Sequence, residues 1–204
     1  MKKNINCLCG TNINVVYEED IDLDKDAQAL EKILDGTFMS YKCGFCGKIH
    51  KPEYRITLNW NSKNYKMEVI PELDRGEFYR NKKDSAGFET VIGFPEMSDR
   101  LSVIKDDLDP VIIETLKSYL LTKAEESYPD KEINAWYHCK NPNGIEFHLD
   151  GIRPDEVAVM RIPHETYERT MDDFRKRPKS DVFTSLRVRS YLSVQNILRP
   201  DALK

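Results

Sequence analysis

Two pairs of cysteines lie in the first quarter of the chain, Cys7-Leu8-Cys9-Gly10 and Cys43-Gly44-Phe45-Cys46-Gly47. Thiolates delivered two at a time from tight turns are the donor set of a tetrahedral divalent ion, Zn²⁺ above all. The glycine trailing each pair can take a positive φ, which lets backbone N–H groups approach the sulfurs. Cys7, Cys9, Cys43 and Cys46 are therefore the candidate metal ligands, and Zn²⁺ is the candidate cofactor. Four thiolates leave no open coordination position, so such an ion folds the chain and does no catalysis. The first pair has one residue between its cysteines where zinc knuckles usually have two or more. One of the two can then be displaced, with His50 as substitute. Two readings compete: a metal-free ribbon with buried cysteines, and a redox dithiol at Cys43 and Cys46. The second wants its first thiol at a helix N-terminus, and Gly47-Lys48-Ile49-His50-Lys51-Pro52 is a poor helix start.

Other residue sets offer weaker chemistry. Asp20, Asp22, Asp24, Asp26, Gln28 and Glu31 match the ligand positions of a calcium loop, but Lys25 stands where the turn glycine belongs. A solvated loop ending in a helix cap is the simpler reading. His138 and His148 can face each other across a hairpin, where two imidazoles alone make an incomplete metal site. An ordinary solvent face with a Lys140–Glu146 pair is the alternative, and Cys139 reads as a small core residue. Arg175, Lys176, Arg177, Lys179, Arg187 and Arg189 form a basic cluster. On a strand, Phe183, Arg187, Arg189 and Tyr191 would share one face, a mixture that suits nucleic acid; a solvated face with cations at a helix C-terminus competes with it. No Gly-rich phosphate loop, Ser-His-Asp arrangement or HExxH occurs.

The elements that must position these residues follow from periodicity and turn chemistry. Residues 11–17 alternate as a strand with Ile13, Val15 and Tyr17 on one face. Asp26 caps a short helix through Asp35, with Ala27, Leu30 and Ile33 or Leu34 inward, and Gly36 ends it. Strands are expected at 38–42, 54–59 and 65–70, with a turn at 61–64. Residues 73–87 are polar and read as a linker. A strand at 87–93 precedes a helix opened by Pro95, with Met97, Leu101, Ile104 and Leu108 on its apolar side. Asp109-Pro110 starts another helix, burying Ile112, Leu116, Tyr119 and Leu120.

Asn141-Pro142-Asn143-Gly144 predicts a hairpin with a glycine bulge. That turn pairs Asn141 with Ile145, Cys139 with Phe147 and His138 with His148. One face is then Tyr137, Cys139, Ile145, Phe147 and Leu149, and the other Trp136, His138, Lys140, Glu146, His148 and Asp150. A strand at 156–162 and a helix at 163–175, presenting Tyr167, Met171 and Phe174, come next. Residues 182–198 alternate as a strand at first but can equally be helical near their end.

The 204 residues carry 32% charged and 40% hydrophobic side chains and a formal charge of −4. This is the balance of an ordinary soluble protein, with no global pull toward nucleic acid or anionic lipid. The first residues have no apolar signal core, and no run reaches about 18 apolar residues. A cytoplasmic location without membrane contact is the default expectation. There, thiols stay reduced and paired cysteines serve metals more than disulfides.

On the residues just described, the N-terminal layout resembles the CpXC domain of bacterial and archaeal proteins. That family has two Cys-Pro-x-Cys-type knuckles around a strand, an acidic turn and a short helix ending in glycine. The parallels here are Cys7 and Cys9, then Leu30 through Asp35-Gly36-Thr37-Phe38, then Cys43, Cys46 and Gly47. Glu68-Val69-Ile70-Pro71 is similar to the family's strand ending in proline, and the helices at 97–108 and 109–121 to the pair that follows. The likeness covers roughly residues 4–150. Neither pair here has the proline. The resemblance implies a zinc-binding module and brings no catalytic residues with it. The expected architecture is α+β: an N-terminal zinc ribbon with a helical insertion over residues 1–73, a linker at 74–86, and an α+β unit with a helix pair and antiparallel sheet over 87–204. The function expected first is a zinc-stabilised module that recognises a protein partner. An enzyme in the groove between the two units, using His50, His138 or His148, and a nucleic-acid binder using the basic strand, are the alternatives.

Overall fold

Alternating apolar residues at the start of the chain do build a strand, and it pairs with the one before it. In the computed structural model, which describes residues 1–81 and 87–198, β1 (Lys2–Asn6) runs antiparallel to β2 (Asn12–Val16), from Lys2 opposite Val16 to Asn6 opposite Asn12. Val15 and Tyr17 are buried and Ile13 half-buried, as the alternation requires. β3 (Asp20–Asp22) is followed by α1 (Ala27–Leu34), whose N-cap Asp26 accepts a hydrogen bond from the Ala29 N–H at 2.9 Å. The inward face of α1 is Ala29 and Ile33; Ile33 is as expected, whereas Leu30 is half-buried and Ala27 exposed. Gly36 leaves the helix at φ +74°. The strand expected at 38–42 shrinks to β4 (Tyr41–Lys42), because Met39 at φ +52° turns the chain first. β4 pairs antiparallel with β5 (Ile49–His50).

The remaining strands of this half are longer and more apolar. β6 (Ile56–Trp60) and β7 (Tyr65–Ile70) pair antiparallel, joined by a 3₁₀ turn at Asn61–Lys63 that Asn64 closes at φ +48°. β3 lies parallel to β6, and β8 (Glu89–Ile92) parallel to β7. Ile56, Leu58 and Trp60 are buried on alternate positions of β6, the period-2 pattern of a strand with one apolar face. In β8, Thr90, Val91 and Ile92 are all buried, the pattern of a strand covered on both faces. The expected linker begins instead with a 3₁₀ turn and α2 (Arg75–Arg80). Arg75 is buried there, donating to Glu72 at 2.6 Å and to Glu96 at 2.7 Å. Residues 82–86 of that linker lie outside the described residues.

The chain divides into two units, Met1–Ser98 and Asp99–Lys204; the division falls within α3 (Phe94–Lys105). In the second unit α4 (Pro110–Ser127) starts where Asp109 accepts from the Val111 N–H at 2.8 Å. Its apolar residues Ile112, Ile113, Leu116, Leu120 and Leu121 join a core with Tyr137, Ile145, Phe147 and Leu149. Tyr119, expected inside, is 57% exposed. β9 (Asn134–Asn141), β10 (Gly144–Asp150) and β11 (Ala158–Ile162) form an antiparallel sheet in the order β11-β10-β9. α5 (His164–Lys176) follows, and Tyr167 on it accepts a hydrogen bond from the Asp109 N–H at 2.9 Å.

Residues 182–198 resolve into neither a long strand nor a long helix. They form α6 (Asp181–Thr184), β12 (Arg187–Val188), β13 (Tyr191–Leu192) and α7 (Gln195–Leu198). Phe183 is buried on α6 and Tyr191 is fully buried. The expected strand face of Phe183, Arg187, Arg189 and Tyr191 is therefore not assembled. Apolar burial, worth roughly 1.5–3 kcal/mol for each such side chain, outweighs the surface alternation that the sequence suggested. No helix among the described residues is long and apolar enough to cross a membrane.

One feature of α4 contradicts its apolar periodicity. Glu114 and Lys117 point inward and are each 3% exposed. Lys117 pairs with Glu114 at 2.8 Å and with Asp99. Arg100 donates to the Leu192 carbonyl at 2.8 Å and lies 3.4 Å from Glu114. The Val194 and Tyr137 N–H groups donate to Glu114 and Asp99 at 2.7 and 2.6 Å. Two buried cations thus meet two buried anions, the condition under which charge is tolerated in a core.

Candidate metal centre

Each cysteine pair occupies the tip of a hairpin. In the first, between β1 and β2, the Cys7 N–H donates to Thr11 O at 2.8 Å and the Gly10 N–H to Cys7 O at 2.9 Å. In the second, between β4 and β5, the Cys43 N–H donates to Lys48 O at 2.8 Å and the Gly47 N–H to Cys43 O at 3.0 Å. Gly10 and Gly47 hold φ +87° and +75°, which an L side chain adopts only under strain. The two turns do the same job at different lengths. The glycine N–H returns to the carbonyl three residues back in the first and four back in the second. The missing residue of Cys7-Leu8-Cys9 is absorbed in the turn, and neither cysteine is displaced.

The two tips meet. Cys7 Sγ lies 3.5 Å from Cys46 Sγ, and Cys9 Sγ 3.7 Å from Cys43 Sγ. All four sulfurs fall within 4.8 Å of one another. Sulfurs about 2.3 Å from a tetrahedral ion stand ~3.8 Å apart, so the donor set fits a metal. A disulfide needs ~2.05 Å, and all four cysteines are free. Each close pair takes one sulfur from each hairpin, so an ion held there would cross-link two segments distant in sequence. Cys7 and Cys43 face inward, at 4% and 1% exposure, while Cys9 and Cys46 face solvent.

The thiols do not behave alike. Hydrogen bonds from the Thr11 hydroxyl and backbone pull Cys9 down to about 6. The N–H groups of Cys46 and Phe45 also lower Cys43. At Cys7 the Cys9 N–H acts downward, but burial and the crowding of Cys9, Cys46 and Cys43 win, pushing it up to about 12. Four sulfurs in one spot cannot all ionise by themselves; a divalent cation removes that penalty and displaces the protons. His50, the expected substitute, sits beside the cluster with Nε2 3.2 Å from Cys7 Sγ. Cys46 is followed by strand β5 and no helix, which leaves a redox dithiol without the dipole it needs.

Neighbouring contacts hold the hairpins in place. Tyr41 donates its hydroxyl to Val16 O at 2.6 Å, and the rings of Tyr17 and Tyr54 stack at 4.4 Å. The acidic stretch is spent on local structure. Asp20 accepts from Thr57, Asp22 pairs with Lys25 at 2.7 Å, Asp24 accepts from the Ser62 N–H at 3.2 Å, and Asp26 caps α1.

The β9–β10 hairpin departs from its expected register. Asn141 pairs with Gly144 and Cys139 with Glu146, but then Tyr137 pairs with Phe147 and Trp136 with His148. His138 is the extra residue of a β-bulge. Cys139 is consequently half-buried and outside the apolar core. The rings of His138 and His148 still stack, 3.8 Å apart and 17° from parallel, and Glu146 joins them as a third potential ligand. The Lys140–Glu146 pair expected on that face gives way to Arg161, 2.9 Å from Glu146; the alternation of polar residues there is the signal that groups Glu146 with the histidines.

A family model described as CpXC protein matches residues 5–117. An uncharacterized protein of Treponema pallidum (strain Nichols) is 29% identical over 214 residues, spanning 95% of this chain and 97% of its own length. No solved structure matches.

Proposed function

We propose that this chain, which belongs to the CpXC family, is a protein-interaction module stabilised by one structural Zn²⁺ held by Cys7, Cys9, Cys43 and Cys46. The cross-paired sulfurs, 3.5 and 3.7 Å apart, carry this reading. An all-thiolate tetrahedral set selects zinc or iron, and four donors converging on one position make the closed mononuclear site typical of structural zinc. The ribbon, residues 1–73 in this reading, needs such an ion. β4–β5 contributes only two residue pairs, and a short hairpin is marginal in water. Apparent zinc affinities of about 10–16 kcal/mol are as large as the whole stability of a typical domain. A reducing compartment such as the cytoplasm would keep the thiolates available.

The interaction role is supported by what the knuckles leave uncovered. Leu8 and Phe45, between the cysteines of each pair, are 87% and 81% exposed. Apolar side chains displayed at both tips beside a closed metal site suit a partner surface.

Metal analysis of protein purified without oxidation should give about one zinc per chain. Cys43→Ser should lose it, and chelation should strip amide protection from residues 1–17 and 41–50 while β9–β11 keep theirs. Full metal content and unchanged stability in Cys43→Ser would refute the site. Leu8→Ser/Phe45→Ser should keep zinc and fold but lose a partner cross-linked in the source organism; undiminished cross-linking would refute the surface.

A further inference from the structure

The geometry points to a second metal site, an exchangeable one for a divalent transition ion, formed by His138, Glu146 and His148 on the β9–β10 hairpin. The bulge makes it. Two residues of β9 stand against Glu146 where a regular ladder would have one, and this leaves His138 on the same side as Glu146 and His148. One Nε2 or Nδ1 of each histidine and one carboxylate oxygen lie within 4.8 Å of one another.

The imidazole rings lie face to face, 3.8 Å apart and 17° from parallel, so one ring must swing out of the stack for both to direct a nitrogen at a single ion. Glu146 divides its oxygens: Oε2 takes Arg161 at 2.9 Å, while Oε1 faces His148 Nε2 at 3.9 Å. One carboxylate oxygen therefore remains directed at the histidines. Ligands about 2.0–2.1 Å from a tetrahedral ion stand ~3.4 Å apart, so the three groups, with His138 exposed and Glu146 and His148 half-buried, have to draw together from their present spacing of up to 4.8 Å. Two imidazoles and a carboxylate favour Zn²⁺, Ni²⁺ or Cu²⁺ over Ca²⁺ or Mg²⁺. Three protein ligands leave at least one coordination position for water or a small anion, so the ion exchanges and its open position is reactive. The cysteine cluster is closed; this site is not.

Trp136 is the cross-strand neighbour of His148 and reports on it. In the full-length Trp60→Phe chain, with the cysteine site first loaded with zinc, added Cu²⁺ should quench Trp136 fluorescence saturably. Calorimetry with Zn²⁺ should then show one further equivalent per chain. Added Co²⁺ should give weak d–d bands and no thiolate charge-transfer band. His148→Gln and Glu146→Gln should each weaken binding at least tenfold with an unchanged circular-dichroism spectrum, while Arg161→Gln, which frees Oε2, should bind as tightly or tighter. Absence of the further equivalent overturns the proposal. So does quenching that survives in His138→Gln/His148→Gln. Zinc content of the cysteine site is read separately, so either assignment can fail alone.

Discussion

Lys117→Met should destabilise the second unit at its core. Lys117 is 3% exposed and holds two buried carboxylates, Asp99 and Glu114. Methionine replaces its volume, so the loss is of charge and hydrogen bonds. Removing one member of a buried ion pair costs about 3–5 kcal/mol, since an uncompensated charge stays behind. Glu114 keeps Arg100 and the Val194 N–H, whereas among the described residues Asp99 keeps the Tyr137 N–H alone. The deficit is one carboxylate, which places the cost near 3 kcal/mol, or a fall of ~1.5 M in the urea midpoint at a slope of ~2 kcal/mol per molar.

The pH dependence separates charge from packing. Burial pushes Asp99 up and Lys117 opposes it; without Lys117 the carboxyl rises further. A carboxyl raised in the folded state holds its proton after the unfolded chain, near pH 3.9, has released it. Acidification from pH 7 toward 5 should therefore restore part of the variant's stability. In the native chain burial acts upward on Glu114, but Lys117 and Arg100 hold it below its ordinary value. Its contribution is present above about pH 4.3 and is lost only as pH falls through the lowered value. Burial acts downward on Lys117, but Asp99 and Glu114 hold it above its ordinary value. That contribution is complete below about pH 10.4 and fades as pH rises through the raised value. Asp99→Asn/Lys117→Met should recover most of the loss at pH 7. Urea unfolding followed by Trp136 fluorescence in the Trp60→Phe background measures both variants against the parent chain. A cost under 1 kcal/mol, or a double variant no better than the single one, would refute the electrostatic account.

Two glycines at positive φ should differ sharply when replaced. A Cβ on Gly151 (φ +88°) would stand 1.9 Å from Glu132 O, while one on Gly36 (φ +74°) meets nothing within 4 Å. Gly36→Ala should cost only the left-handed penalty of about 1–2 kcal/mol, and Gly151→Ala clearly more; equal melting temperatures would contradict the packing at Glu132. Asp109→Ala should remove the cap of α4 and cost about 1 kcal/mol, seen as a lower melting point with native helix content retained.

Local relations were legible in the sequence. Asp26 and Asp109 cap the helices that their positions promised, because a cap needs only its own side chain and an N–H two or three residues on. The strand at Tyr65–Ile70 and the turn before it follow from alternation and an asparagine that tolerates positive φ. The boundaries of α5 follow in the same way from its start at Pro163 and its amphipathic spacing. Misreadings occurred where a distant partner overruled a local pattern. Tyr119 sits at an apolar spacing yet faces solvent, while Glu114 and Lys117 turn inward, because Asp99 and Arg100 wait for them. Phe183 and Tyr191 left the surface for the core.

The cysteine spacing by itself established two turns able to present sulfur in pairs, since a trailing glycine at positive φ is a property of a few consecutive residues. That these turns converge, with each short sulfur–sulfur distance bridging Cys7 to Cys46 and Cys9 to Cys43, was decided by the packing of two hairpins on either side of α1 in the chain. The histidine cluster divides the same way. Its residues share a face in the expected register too, but the structure reaches that juxtaposition by another route, an Asn141–Gly144 pairing followed by one extra residue in β9. Register is a property of the paired strands and belongs to neither alone.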